Sequence, residues 1–468
     1  MEKVNNKRSI LLLLAVGLSL TAVMMPAIAP AQTIRKVSLP DGCAYSGWPI
    51  VFRNNLYIQV STRSGAYQLA AYGDSGRTRL IPNPDDSKHG YMGYPVIFKD
   101  KLYMEYQNAV GHFQLGQFDG ASLVLVPSPA QGFGMQCLPT FAPILYDARL
   151  YFPFMTDTSR SLGCFDGTSI TLLSMRYLTY GVSYWTPFVY HNKLYFPLHH
   201  GRPYLPYHYE FPGDGLAQFD GKGFTEVSAP DKTDHGYQGG PVEYKEQLYF
   251  SYYSAGKELK LARLDGTGIH LVPSPDSADL SPYDNDWRPI MLNNKLYLLY
   301  ATKVYTKHAS PITKLGEFDG LKVRLIANPP ESYYGIAHTV APVEYNHRLY
   351  MQLYVETVSR LGVFDGKSLQ LVPDPPGMRG NYEGSPVVYK DRLYFKYGSR
   401  LAEYDGSSIS FIGNDQDQHQ SEGVPLFVYK DRLFVFINGG LAYLEREGGD
   451  GGKSGGGGNG GDGGKSGK

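Results

Sequence analysis

The sequence predicts an all-β fold, a β-propeller of four-stranded blades, and three observations carry that prediction. A phrase built on proline, a short β-like run, a polar turn and Leu-Tyr or Leu-Phe recurs nine times. Its anchors are Pro49, Pro95, Pro143, Pro187, Pro241, Pro289, Pro342, Pro386 and Pro425, spaced 39 to 54 residues apart. Fixed-period self-similarity in this range marks a repeat architecture. Most copies continue into an aromatic residue or leucine, then Asp-Gly, then an apolar run ending near proline. The third observation is at the termini, where a partial repeat at each end completes the other.

Within one blade, numbered 1 to 9 by anchor, the elements follow in order. Pro95-Val96-Ile97-Phe98 begins the first strand, here called a. Lys99-Asp100-Lys101 is a tight polar turn. Strand b starts at Leu102-Tyr103, and strand c is Phe113 to Phe118. Asp119-Gly120 is a hairpin turn whose glycine tolerates positive φ. Strand d is Leu123 to Val126, ended by Pro127 and Pro129. Large apolar residues at consecutive positions of strand b mean that both faces are buried, as in a sheet between two neighbours.

The same positions recur at Leu56-Tyr57 through Leu433-Phe434 and at Asp119, Asp166, Asp220, Asp265, Asp319, Asp365 and Asp405. Turn chemistry accounts for those aspartates better than calcium binding or catalysis. Residues Thr33 to Pro40 resemble a strand d with no a, b or c before it. The last repeat, Pro425 to Leu444, has three strands and no d. Joining them closes a ring and removes sheet edges. Nine blades result by arithmetic; common propellers stop at about eight, and eight follows if one irregular repeat lies outside the ring.

Residues 1–31 read as a signal peptide: Lys3, Lys7 and Arg8, an apolar run from Ile10 to Met25, and a small-residue site at Ala29-Pro30-Ala31. The expected domains are therefore 1–31 signal peptide, 32–447 propeller and 448–468 a disordered tail. The tail holds 13 glycines in 21 residues and nothing to bury. The expected location is secreted or periplasmic, with no transmembrane segment after signal removal. The full chain has 44 basic and 44 acidic residues, and no basic face that suggests nucleic acid. Cys43, Cys137 and Cys164 allow at most one internal disulfide, so no disulfide scaffold is expected. The reading is of a monomer without cofactor or metal.

Gln247-Leu248-Tyr249-Phe250, followed by Leu261-Ala262-Arg263-Leu264-Asp265-Gly266 and Leu271-Val272, resembles a YWTD-type propeller repeat. It is also similar to exported bacterial repeats of the ELWxxDGT kind. The resemblance is one of pattern and covers most of residues 32 to 447. It implies blade architecture and fixes no ligand. Tyr-Trp-Thr-Asp itself is absent, with Leu-Tyr-Phe in its place.

Connections from b to c and from d to the next a are long and varied, and both lie at one end of a propeller. Binding is usually placed on variable loops over a rigid scaffold. The groups just before the anchor prolines are expected to converge around the axial channel. The candidate binding residues are His89, Tyr94, Tyr184, Trp185, His235, Tyr237, Asp284, Asp286, Trp287, His338, Tyr382, Glu383 and Glu422. Flat amphipathic rings suit a glycan or peptide, with carboxylates orienting hydroxyls or amines.

The expected function is thus a non-enzymatic module binding a glycan, peptide or partner protein. Two alternatives stand beside it. A carbohydrate-active hydrolase or lyase would use Asp284, Asp286, Glu383 and Glu422 as acid–base pairs, with His235 or His338 as alternates. A structural surface protein would use the tail. No G-x-S-x-G, HExxH or phosphate loop is present. The insertion His199 to Glu210 has three further histidines and a glutamate but no metal-ligand spacing.

Overall fold

In a computed structural model of the chain, every strand a is tied to strand b by a two-residue turn, and both turn residues have positive φ. Arg53 and Asn54 (46° and 59°), Lys99 and Asp100 (45° and 57°), and Lys430 and Asp431 (44° and 56°) illustrate a conformation found in all nine blades. Paired left-handed residues make a type I′ turn, whose twist matches that of the strands it joins. The described residues are 32–446, without 48, 74–75, 86, 130–142, 156–159, 174–186, 200–213, 232–235, 239, 256–257, 276–277, 281–288, 303–311, 333, 338–341, 414–425 and 438–439. The signal peptide and tail expected at 1–31 and 448–468, and Cys137, lie outside them. Thr33–Glu445 forms one compact body.

Among the described residues the fold is all β, a propeller of nine antiparallel a-b-c-d sets. Blade 4 is typical, with Phe188–Tyr190, Lys193–His199, Asp214–Phe219 and Phe224–Val227 in that order. The three residues that open the apolar run of strand b are buried together, as at Leu56, Tyr57 and Ile58. Each face of the sheet therefore packs on a neighbour. Apolar clusters run from blade to blade: Phe52 and Tyr57 pack with Leu102 and Phe118, and Tyr244 and Leu261 with Leu296 and Phe318.

The same packing joins the last blade to the first. Gln32–Lys36 pairs with Gly440–Arg446 as the fourth strand of blade 9. The Val37 N–H donates to the Leu441 carbonyl at 2.8 Å. Phe434, Phe436 and Leu441 of blade 9 share a cluster with Leu56, Ile58 and Tyr72 of blade 1.

Directional bonds reinforce the interfaces at the turn end. The tyrosine ending strand a donates its hydroxyl to the carbonyl of the second turn residue of the next blade. Tyr146 reaches Asn192 (3.0 Å), Tyr190 Glu246 (3.0 Å), Tyr244 Asn294 (2.9 Å), Tyr345 Asp391 (2.7 Å), Tyr389 Asp431 (2.6 Å) and Tyr429 Asn54 (2.7 Å). Blades 1, 2 and 6 carry Phe52, Phe98 and Leu292 there and have no hydroxyl to give. In blade 1 the Arg53 guanidinium takes over, donating to the Asp100 and Asp119 carbonyls at 2.9 and 2.6 Å. Lys99 and Lys245 likewise donate to the carbonyls of Asp166 and Asp319 at 2.5 and 2.6 Å.

The Asp-Gly aspartates are turn formers. Oδ1 of Asp119 accepts the N–H groups of Ala121 and Ser122, both at 2.9 Å, and Gly120 has φ 100°. Asp166, Asp220, Asp319, Asp365 and Asp405 repeat the arrangement. These N–H donors favour the charged carboxylate, and hold Asp119, Asp166, Asp220, Asp319 and Asp365 below the ordinary aspartate pKa.

Candidate functional site at the loop end

Strand b is longer than the three residues of strand a that pair with its start. The rest of it recruits the segment before the anchor proline. Gly90, Tyr91 and Met92 pair with Gln107, Tyr106 and Glu105; the register then shifts, and Val96 resumes opposite Tyr103. Tyr382 and Glu383 pair with Tyr397 and Lys396 before a shift to Val387. Ala44-Tyr45, Ala278–Leu280, Gly335-Ile336 and the Tyr237–Tyr252 bridge are equivalents. The inter-blade segment is thus partly sheet, and a bulge at the proline bends it. That arrangement decides which candidate side chains face solvent.

Tyr237 and Tyr382 fall on the inward side of these pairings. They are 1% and 0% exposed, and their rings pack on Phe250 and Phe395. Neither hydroxyl has a protein partner, and burial raises both hydroxyls' pKa. The expectation that these two tyrosines are exposed on the loop face is therefore corrected. They are core residues, because the extended strand a turns alternate side chains into the gap between blades.

His89 and Glu383 do reach the surface. The His89 N–H donates to Ser87 Oγ at 3.1 Å, and its carbonyl accepts the Tyr67 N–H at 3.2 Å. The backbone is fixed on both sides while the ring is exposed. Glu383 is half-buried and paired with Lys396 at 2.6 Å. They occupy the segments before blades 2 and 8. The side chains of Tyr94, Tyr184, Trp185, His235, Asp284, Asp286, Trp287, His338 and Glu422 lie outside the described residues, as does most of the His199 to Glu210 insertion. A glycosidase needs carboxyls about 5–5.5 or 6.5–9.5 Å apart. Of its four candidates, only Glu383 is described, and it is paired with the Lys396 ammonium.

The structure also shows carboxylates at this end that the sequence reading did not single out. Asp85, after the proline that ends strand d, accepts the Tyr106 hydroxyl and the Ala109 N–H (2.8 Å) of the next blade. Asp231 does the same with Tyr252 (3.2 Å) and Ala255 (2.7 Å). Asp374 accepts the Tyr397 hydroxyl at 3.1 Å and pairs with Arg360 at 2.8 Å. The signal for them is a Pro-Asp step after strand d matched with a tyrosine late in the next strand b. These carboxylates clamp neighbouring blades at the base of the loops. Among the described residues, two of these inter-blade segments add a parallel bridge at this end, Tyr67 to Gly90 and Thr313 to Gly335. There Asn83 and Asn328 donate to the Tyr67 and Thr313 carbonyls at 3.2 and 2.9 Å.

Among the described residues no group of three or more His, Cys, Asp or Glu side chains is placed to hold a metal. No described helix is long and apolar enough to cross a membrane. Cys43 and Cys164 are free thiols.

No family model and no curated protein matches the chain. Solved structures give similarities of low identity. The computationally designed Ika8 protein is 10% identical, with a TM-score of 0.42 over 77% of this chain and 98% of that one. A prolyl endopeptidase is 12% identical with a TM-score of 0.40, over 87% of this chain and 55% of that one. The β-propeller domain of the Trilobed protease from Pyrococcus furiosus is 11% identical with a TM-score of 0.34, over 81% and 97%. The propeller assignment rests on this chain's own repeated sheets.

Proposed function

We propose that the protein is an exported, non-enzymatic binding module that takes a glycan, peptide or partner protein at its loop end. The observation that supports this is the contrast between the two ends. The a-to-b turn has two residues in all nine blades, whereas the b-to-c connection runs from two residues, Glu356-Thr357, to the fourteen of 200–213. Uniform turns hold the scaffold, and unequal loops above the aspartate clamps supply individuality. His89 displays the principle, with an anchored backbone and an exposed ring.

A glycan and peptide array probed with residues 32–468 tests this reading. Saturable binding is expected, and the Trp185→Ala/Trp287→Ala double variant should weaken it tenfold or more, about 1.4 kcal/mol. Unchanged affinity in the double variant would remove the loop-end assignment.

A further inference from the structure

The blade interfaces at the turn end share a ring contact, and a single interface among the described residues lacks both that contact and a basic first turn residue. In seven of the nine, the aromatic ring opening strand b's buried run packs against an aromatic at the end of strand c next door. Tyr57–Phe118, Tyr103–Phe165, Tyr151–Phe219, Tyr249–Phe318, Tyr297–Phe364, Tyr350–Tyr404 and Phe434–Tyr72 have centroids 5.0 to 5.8 Å apart. Between blades 4 and 5 the partner of Tyr195 is Leu264. The first turn residue is a lysine or arginine in five blades, lying over the last ring of strand a as at Arg53, Lys99, Lys245 and Lys390, whereas blades 3, 6 and 7 carry Asp147, Asn293 and Asn346 but keep the ring contact. In blade 4 it is His191, stacked on Tyr190 at 4.0 Å, and it is too short to bridge as Lys99 and Lys245 do. The blade 8–9 interface also has a leucine, Leu444, but keeps its lysine, with Lys390 paired to Asp431 at 2.8 Å.

The two losses coincide with a cavity of about 250 Å³ between blades 4 and 5. The blade 5 turn beside it is also altered. Asp265 pairs with Gly268 in the ladder, and it is Gly268, at φ 139°, that has positive φ. Oδ1 of Asp265 then accepts the Thr267 N–H (2.8 Å), its hydroxyl (2.6 Å) and His270 Nε2 (3.2 Å). Thr267 and Asp265 both contact the same imidazole nitrogen. A nucleophile–base–carboxylate relay needs the two different ring nitrogens, so this is not a triad.

We infer that this cavity binds one neutral monosaccharide ring. Its size is just below the roughly 300–1,000 Å³ of drug-sized ligand pockets, which suits a single sugar and not a chain. Its lining carries both signs. Lys193 stands with Glu226 and Asp265, and Asp265 is paired to Arg263 at 3.2 Å. A balanced lining favours a neutral polar ligand over an ion. Gln218 accepts from Lys193 (3.2 Å) and the Tyr195 hydroxyl (3.3 Å), which leaves its amide N–H groups to donate to a ligand hydroxyl. The His191 ring and the Asp265 carboxylate both line the cavity and offer a sugar a flat surface and an acceptor. This site lies at the end opposite the proposed loop-end surface and stands independently of it.

Calorimetric or NMR titration with glucose, galactose, mannose and N-acetylglucosamine tests the inference, with glycine and inorganic phosphate as probes of the other ligand classes. At least one sugar is expected to saturate at millimolar concentration or below. Leu264→Phe, which supplies the missing aromatic, and His191→Lys, which supplies the missing bridge, should each weaken it tenfold or more. Gln218→Ala carries the same expectation if Leu264→Phe proves unstable by thermal melting. Saturation by no sugar, preference for glycine or phosphate, or unchanged affinity in both filling variants would overturn the assignment. Sugar binding lost in Trp185→Ala/Trp287→Ala yet retained in Leu264→Phe would place the sugar on the loop end and overturn it too.

Discussion

The hydroxyl of Tyr429 donates to the carbonyl of Asn54 at 2.7 Å, joining residues 375 positions apart. It is the same bond that Tyr389 makes to Asp431 one interface earlier. Tyr429→Phe should keep the ring's packing, as Phe52 and Phe98 do at this position, and lose about 1 kcal/mol. Denaturant melts will show a lower midpoint with an unchanged slope. A cost indistinguishable from zero would mean that this bond adds nothing to the contact between the last blade and the first.

Gly335 and Gly90 stand where no side chain fits. A Cβ would lie 1.9 Å from the Thr313 carbonyl oxygen and 2.0 Å from that of Tyr67, at φ of 82° and 74°. Gly335→Ala or Gly90→Ala should break the parallel bridge and cost about 4 kcal/mol, near the top of the single-substitution range. Gly406→Ala, at φ 98° with open space around it, should cost only about 1–2 kcal/mol. Equal losses in thermal melts would refute the close-approach account.

Ala148 holds φ 54° in an exposed turn with no side-chain reason to be there. Ala148→Gly should raise stability by about 1 kcal/mol, because relief of the left-handed conformation outweighs the added chain entropy. A fall in the melting midpoint would contradict it.

Acid should unfold the protein over a defined range. The turn N–H donors depress the Asp119, Asp166, Asp220, Asp319 and Asp365 carboxyls, and Thr267 and its neighbours hold Asp265 at about 2. For Glu317, burial disfavours charge, but bonds from Lys295 (2.9 Å), Arg324 (3.1 Å) and Tyr297 (3.1 Å) outweigh it and lower its pKa. Groups depressed in the folded state stabilise above their unfolded pKa of about 4 and lose that contribution as pH falls through the folded values. Urea midpoints should be level above about pH 5 and fall steeply between about pH 4 and 2. A level midpoint down to pH 2 would sink this account.

The buried, unpartnered hydroxyl of Tyr382 gives the fold nothing that phenylalanine lacks. Tyr382→Phe should leave stability unchanged or raise it by about 1 kcal/mol, with array binding unaltered. A loss of binding without a loss of stability would return Tyr382 to the functional surface.

The repeat, the type of turn and the joining of the two ends were legible in the chain because each rests on local chemistry. Asp119-Gly120 states its own turn, and Thr33 to Pro40 resembles a strand d. The bipartite strand a was not legible, since Tyr91 pairs with Tyr106 only after a bulge that no local composition signals. For the same reason the burial of Tyr237 and Tyr382 has no local signal. The cavity beside Leu264 has no sequence signal, because it arises where His191 and Leu264, distant in sequence, stand in place of a cation and an aromatic, and a missing contact has no motif.

The tyrosine bonds between blades end on main-chain oxygens, at Asn192, Glu246, Asn294, Asp391, Asp431 and Asn54 alike. An acceptor common to every amino acid makes no demand on the side chain of the residue that bears it, so only the positive φ of the turn restricts what stands there. A side chain can therefore change at these corners, within what a left-handed backbone admits, without forfeiting the neighbouring blade's grip.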